Sequence, residues 1–190
     1  MAPHKILGFS GSTREGSYNK KIAKVALAGA AAAGAETTFL DLRDFAMPLF
    51  DEDLEKAGIP KGVAEFRELM KTHQGLIIAS PEYNGSLSGV LKNAIDWASR
   101  KVGDEVPMAC FNGKVAGLLA ASPGNLGGIR GLAHLRTILG GIRVLVIPEQ
   151  VALPKANEAF DAQGNMTDEK MRTAVQGVGA SVVNIVKRLA

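Results

Sequence analysis

The chain of 190 residues is 46% apolar and 22% charged, carries a net charge of +3 and holds one cysteine. That length supports one domain over residues 1–190 with a full hydrophobic core, and the balanced composition excludes disorder and fibrous repeats. Nothing of signal-peptide length precedes the first turn residues, no run of about 18 apolar residues occurs, and the basic residues are scattered, so a cytoplasmic protein binding neither membrane nor nucleic acid is expected.

Lys5–Phe9 is a short apolar run that stops at Ser10 and predicts a buried parallel strand. From Asn19 to Gly34, Ile22, Val25, Ala26, Gly29 and Ala33 recur at helical spacing, with Gly34 as the stop. Thr37–Leu40 predicts a second strand. The connection Asp41–Gly62, rich in acids and prolines, has the length of a functional or interface loop. Val63–Met70 shows helical periodicity, Gly75–Ser80 predicts the third strand, and Leu87–Ala98 repeats the helical pattern through Leu91, Ala94, Ile95 and Ala98. A second long connection, Arg100–Gly113, contains Cys110, which reads as a small apolar filler with no internal disulfide partner. Val115–Ala121 and Arg143–Ile147 predict the last strands, separated by a helix over Leu126–Leu139. A final helix spans Met171–Leu189, with Thr167 or Asp168 as its N-cap.

Five repeats of strand and helix predict a doubly wound α/β/α sandwich with a five-stranded parallel sheet of order 2-1-3-4-5. In such a sheet a ligand lies beyond the carboxyl ends of the strands, where the winding reverses. The loop there, Ser10 to Asn19, combines glycines, hydroxyls and Arg14 at a helix start. Free N–H groups, the positive helix end and a forked cation suit a phosphate monoester. After the third strand, Pro81-Glu82-Tyr83-Asn84-Gly85-Ser86 again runs into a helix; Gly85 permits an unusual backbone angle, its neighbours offer amides to a flat ring, and Tyr83 offers a face. The glycine-rich Ser122–Gly128 borders the same crevice. Arg130, placed early in a helix against the dipole, faces solvent, an anion or a partner subunit.

Related loops are excluded by particular residues. Ser17 and Tyr18 stand where a triphosphate loop needs Lys and Ser or Thr, and no Gly-x-Gly-x-x-Gly is present. His4, His73 and His134 are isolated rather than at metal-ligand spacing, and no nucleophile and base pair emerges. A site rich in donors and poor in acid–base groups suits a cofactor that performs the chemistry itself.

Gly-Ser-x-Arg-x-x-Ser-x-Asn at 11–19 and Pro-Glu-Tyr-Asn-Gly-Ser at 81–86 resemble the NADPH-dependent FMN reductase family, including its chromate and quinone reductase members. The likeness extends to Asp41–Asp53, to Asn93-Ala-Ile-Asp-Trp97 and to the Ser122 loop. The resemblance implies a flavodoxin-like fold with the FMN phosphate at Ser10, Ser12, Arg14, Ser17 and Asn19. It also implies Pro81, Glu82, Tyr83, Asn84 and Gly85 beside the isoalloxazine ring, mostly through backbone groups, with Ser122 and Gly124 closing the other side. By the same likeness NADPH or NADH is the donor, and the protein is a homodimer or homotetramer with Trp97 partly buried at the subunit interface. The cycle expected on this likeness is ping-pong: hydride transfer to the flavin N5, departure of the nicotinamide, then delivery to an acceptor on the same face. Quinones, chromate, azo compounds and free flavin stay open as acceptors. The rival reading, a flavodoxin-type electron-transfer module that does not oxidise NAD(P)H, is commonly strongly acidic, whereas this chain is mildly basic.

Overall fold

A computed structural model describes residues 3–190 and contains a parallel sheet of β1 (Lys5–Ser10), β2 (Glu36–Asp41), β3 (Gly75–Ala79), β6 (Val115–Ala121) and β7 (Leu145–Leu153). Their order, β2-β1-β3-β6-β7, is the predicted flavodoxin-like one; a separate antiparallel hairpin of β4 (Glu82–Tyr83) and β5 (Ser86–Leu87) intervenes in the chain. The helices are α1 (Tyr18–Ala32), α2 (Glu52–Ala57), α3 (Lys61–Thr72), α4 (Gly89–Ser99), α5 (Ile129–Gly141) and α6 (Glu169–Leu189).

Both faces of the sheet are buried because side chains along each central strand alternate between two apolar cores. In β3, Leu76 and Ile78 pack toward Phe66, Leu91 and Leu132 of α3, α4 and α5, while Ile77 and Ala79 join Ile22, Ala26 and Val178 of α1 and α6. This explains why the strands read as continuous apolar runs and the helices as one-sided stripes. On the α1/α6 face the two helices touch through their backbones. A Cβ at Gly29 would collide with the Gln176 carbonyl, and one at Gly179 with the Ala26 carbonyl.

Several predicted boundaries shift for physical reasons. The fifth strand does not stop at Ile147 but continues to Leu153, since the register breaks between Ala116 and Leu118 and resumes at Gln150. Pro148 falls in that break, on an edge strand where a missing N–H costs little. Arg136 of α5 donates to the Val146 and Ile147 carbonyls and to Gln150, occupying polar groups that the break releases. The helix predicted from Leu87 starts at Gly89, because Ser88 caps it by accepting from the Leu91 N–H (3.2 Å). Of the two caps considered for the last helix, Asp168 fills the role, accepting from the Met171 N–H at 3.0 Å.

The two long connections are docked rather than loose. Residues 41–62 include a 3-10 turn (Leu42–Asp44) and α2, and lie against α4. Asn93 donates to the Pro48 carbonyl (2.9 Å) and accepts from the Phe50 N–H (2.8 Å), and one turn on the Trp97 indole donates to the same carbonyl (2.7 Å). Trp97 is therefore wholly buried inside its own chain, with its ring edge-on to Phe50, and not at an interface as expected. The 100–113 connection is held by Glu105, which pairs with Arg67 and Lys71 of α3, and by buried Cys110 and Phe111. Cys110 is the filler expected, and burial pushes its thiol up.

Candidate active site

The loops after β1, β3 and β6 converge at the carboxyl edge of the sheet, and side chains lock them together. The Gly11 N–H donates to the Ala79 carbonyl (2.9 Å) and the Ser88 hydroxyl to the Gly11 carbonyl (2.5 Å), joining the first loop to the third strand and α4. The side-chain amide of Asn19 donates to the Ala121 carbonyl (2.8 Å) and accepts from the Ala121 N–H (2.9 Å). Both polar ends of Asn19 are thus spent on positioning α1 against β6, so its side chain is not free for a phosphate; only its main chain at the helix start is.

The remaining residues of that loop are presented differently. Ser10, Ser12 and Ser17 are buried, and Arg14 is exposed with its guanidinium carbon 5.3 Å from the centre of the Tyr18 ring. Ser17 occupies the N-cap position of α1 in extended conformation, yet its hydroxyl makes no cap bond and no acidic residue follows in the first turn. The positive end of α1 is left for an anion. Ser10 Oγ is the one buried side-chain oxygen or nitrogen without a hydrogen-bond partner among the described residues. A buried hydroxyl in that condition costs on the order of 1–3 kcal/mol, which an anionic ligand at the loop would offset.

The second wall is the β4–β5 hairpin. Asn84 (φ 53°) and Gly85 (φ 79°) both adopt left-handed backbone, as a two-residue hairpin turn requires. With Glu82 they line a cavity of about 550 Å³, completed by Ser122, Gly124 and the following residues through Gly128 and by Arg130. Of the predicted ring-side residues, Glu82, Asn84, Gly85, Ser122 and Gly124 are therefore brought together. Pro81 is buried behind them, and Tyr83 is 60% exposed, its ring open for stacking. The Ser122 hydroxyl accepts from the Gly124 N–H (3.1 Å) and shapes its own loop.

Glu82 accounts for Arg130. Its carboxylate accepts from the backbone N–H groups of Arg130 (3.0 Å) and Gly131 (3.2 Å) and from Arg130 Nε (2.7 Å). It thereby caps α5, whose own N-cap is Gly128 and which has no acidic residue in its first turn. Burial pushes the Glu82 carboxyl up, but the Arg130 guanidinium and the two amides outweigh it and hold the group below the usual glutamate range. Beside the pair, Ser86 and His134 Nδ1 lie 2.9 Å apart. The hairpin is thereby tied to α5 at both of its strands.

The sequence reading missed Arg43. Its Nε donates to the Thr13 carbonyl (3.0 Å) from the turn after β2, and no local pattern links two residues so far apart. The lining residues Asn125, Leu126, Gly127 and Gly128 were signalled only by the glycine run.

The sequence model of the NADPH-dependent FMN reductase family matches residues 4–158, most of the chain. The chain belongs to the NADPH-dependent FMN reductase family. It is an oxidoreductase of a family that works with FMN and a reduced nicotinamide. An NAD(P)H-dependent FMN reductase of Pseudomonas aeruginosa is 42% identical over 173 residues, covering 90% of this chain and 89% of the relative. A 2-hydroxy-1,4-benzoquinone reductase of a Burkholderia species is 34% identical, covering 90% of each chain. Among solved structures, the NAD(P)H:(acceptor) oxidoreductase FerB of Paracoccus denitrificans superposes with a TM-score of 0.83 at 28% identity, over 97% of this chain and 98% of that one. The residues of this FMN reductase fit the cofactor, since the unpartnered Ser10 hydroxyl and the uncapped start of α1 offer donors where a phosphate needs them.

Proposed function

We propose that this chain holds FMN across the three-loop crevice and passes electrons from NADH or NADPH to quinones. The observation that carries the reading is the buried, unpartnered Ser10 hydroxyl at the end of β1, on the same loop that leads into the uncapped start of α1. Ser10, Ser12, Ser17, the Arg14 guanidinium and the main-chain N–H of Asn19 would grip the phosphate. Asn84 and Gly85 would present backbone groups to the ring edge from one wall, Ser122 and Gly124 from the other, with Pro81 as support and the exposed Tyr83 ring as a lid surface. Glu82 would act through its clamp on α5 and not by touching the ring.

When bound, FMN supplies hydride acceptance at N5 and onward electron delivery, so no side chain has to serve as nucleophile or base. The chain's groups bind, orient and set the width of the crevice. Nicotinamide and acceptor would take turns over the same open face of the ring, which makes the proposed order ping-pong. Chromate, azo compounds and free flavin are further acceptors that such an open crevice would admit. The reading extends to one FMN-binding domain over residues 1–190, acting in the cytoplasm as a homodimer or homotetramer. Leu49, Val90 and Leu126 leave apolar side chains exposed that a second copy would cover.

The test is spectroscopic and kinetic. Purified protein reconstituted with FMN is expected to bleach on addition of NADH or NADPH and to recover its colour with a quinone. With donor and quinone varied, parallel rather than intersecting double-reciprocal lines are expected. A reconstituted protein that keeps its colour with both nicotinamides would contradict the proposal.

A further inference from the structure

The loop that opens α1 is held from outside by a residue of another element. Arg43, on the turn after β2, donates from Nε to the Thr13 carbonyl at 3.0 Å. Its own backbone N–H donates to Asp41 Oδ1 at 3.0 Å, and the Asp41 carboxylate pairs with Lys20 of α1, whose side chain is only 9% exposed. Lys20, Asp41 and Arg43 thus tie the end of β2 to both sides of the phosphate loop.

The peptide between Thr13 and Arg14 is planar and trans, so its carbonyl and its N–H point in opposite directions. Drawing the Thr13 carbonyl out toward Arg43 turns the Arg14 N–H inward, and that N–H is directed at the Ser12 hydroxyl (3.4 Å), itself buried in the loop. We propose that Arg43 is a positioning residue of the phosphate loop: by holding the Thr13 carbonyl outward it fixes the turn in which the Ser12 hydroxyl accepts from the Arg14 amide, leaving the Ser12 O–H to donate to the anion. The inference rests on the reading above that this loop takes the FMN phosphate. Arg43 is exposed, so its charge is screened by salt and water, and its contribution comes through the hydrogen bond.

Arg43→Ala and Arg43→Gln separate the two contributions, because the Gln amide nitrogen sits at the same position along the side chain as Arg Nε and donates without a charge. Dissociation constants for FMN and for riboflavin, which lacks the phosphate, are measured by flavin fluorescence quenching with the full chain. Loss of a single exposed hydrogen bond predicts that Arg43→Ala weakens FMN binding about fivefold and leaves riboflavin unchanged, with Arg43→Gln within about twofold of the parent. The inference is overturned if Arg43→Ala leaves the FMN-to-riboflavin ratio unaltered, or if Arg43→Gln is as weak as Arg43→Ala. A Ser12→Ala, Arg14→Ala double variant keeps the two levels apart. Should that variant also leave the ratio unaltered, the phosphate assignment itself fails; should it collapse the ratio while Arg43→Ala does not, only the role of Arg43 fails.

Discussion

Asn19 and Ala121 exchange two hydrogen bonds across 102 residues of sequence, the Asn19 amide serving as both donor and acceptor to the Ala121 main chain. The pair fixes where α1 begins relative to the end of β6, and so where the phosphate loop stands relative to the glycine loop. It converts a residue that resembled a ligand into a part of the frame.

Asn19→Ala is expected to destabilise the fold by about 2–4 kcal/mol, because it leaves both Ala121 groups buried without their partner. Urea denaturation of parent and variant measures this. Asn19→Asp, which keeps an acceptor but loses the donor, is expected to fall between the two.

Gly179 and Gly177 lie on the same helix and are expected to respond in opposite directions to alanine. A methyl group at 179 meets the Ala26 carbonyl and must push α1 from α6, whereas nothing lies within 4 Å of one at 177. Overpacking predicts a loss of about 3 kcal/mol or more for Gly179→Ala, while Gly177→Ala gains about 0.5 kcal/mol or more from helix propensity. Thermal melting distinguishes them.

The Glu82 carboxyl sits below its ordinary value of 4.5 because the favourable contacts with Arg130 and the α5 amides outweigh burial. A carboxyl depressed in the folded state contributes stability above its unfolded value and loses that contribution as pH falls through the folded one. The stability gap between parent and Glu82→Gln is therefore expected to be widest above pH 4.5 and to narrow in more acid solution. A gap independent of pH in denaturant titrations across that range would rule out the carboxylate as the source.

Lys114 makes stability rise with pH as well, but in alkaline solution. Burial lowers its amine from 10.5 to about 8, and it donates to the His73 carbonyl. Between about pH 8 and 10.5 the unfolded chain holds a proton that the folded chain has released, so stability is expected to rise with pH across that window. Lys114→Met should abolish that rise, as read from unfolding free energies at several pH values.

Most of what the strands and helices do was legible because their signals are local. The apolar run Gly75–Ala79 and the period through Leu91, Ala94, Ile95 and Ala98 each speak within a few residues. The β4–β5 hairpin was missed although Asn84-Gly85 is a turn pair with a known preference for positive φ, since strands of two residues are too short to show any alternation. The extension of β7 past Pro148 was missed because a proline reads as a stop unless the strand is known to lie at an edge.

By itself the sequence determined the order of strands and helices, the sheet edge where the loops gather, and the family to which those loops belong, because hydrophobic period and turn chemistry are carried by neighbouring residues. Only the tertiary structure decided which polar side chains face a ligand and which brace the frame. Asn19 meets Ala121, Glu82 caps α5, Trp97 closes on Pro48 and Arg43 holds Thr13. Each of these pairs joins segments remote in sequence, and a polar group is satisfied by whatever donor or acceptor the packing of layers brings beside it, which no local pattern encodes.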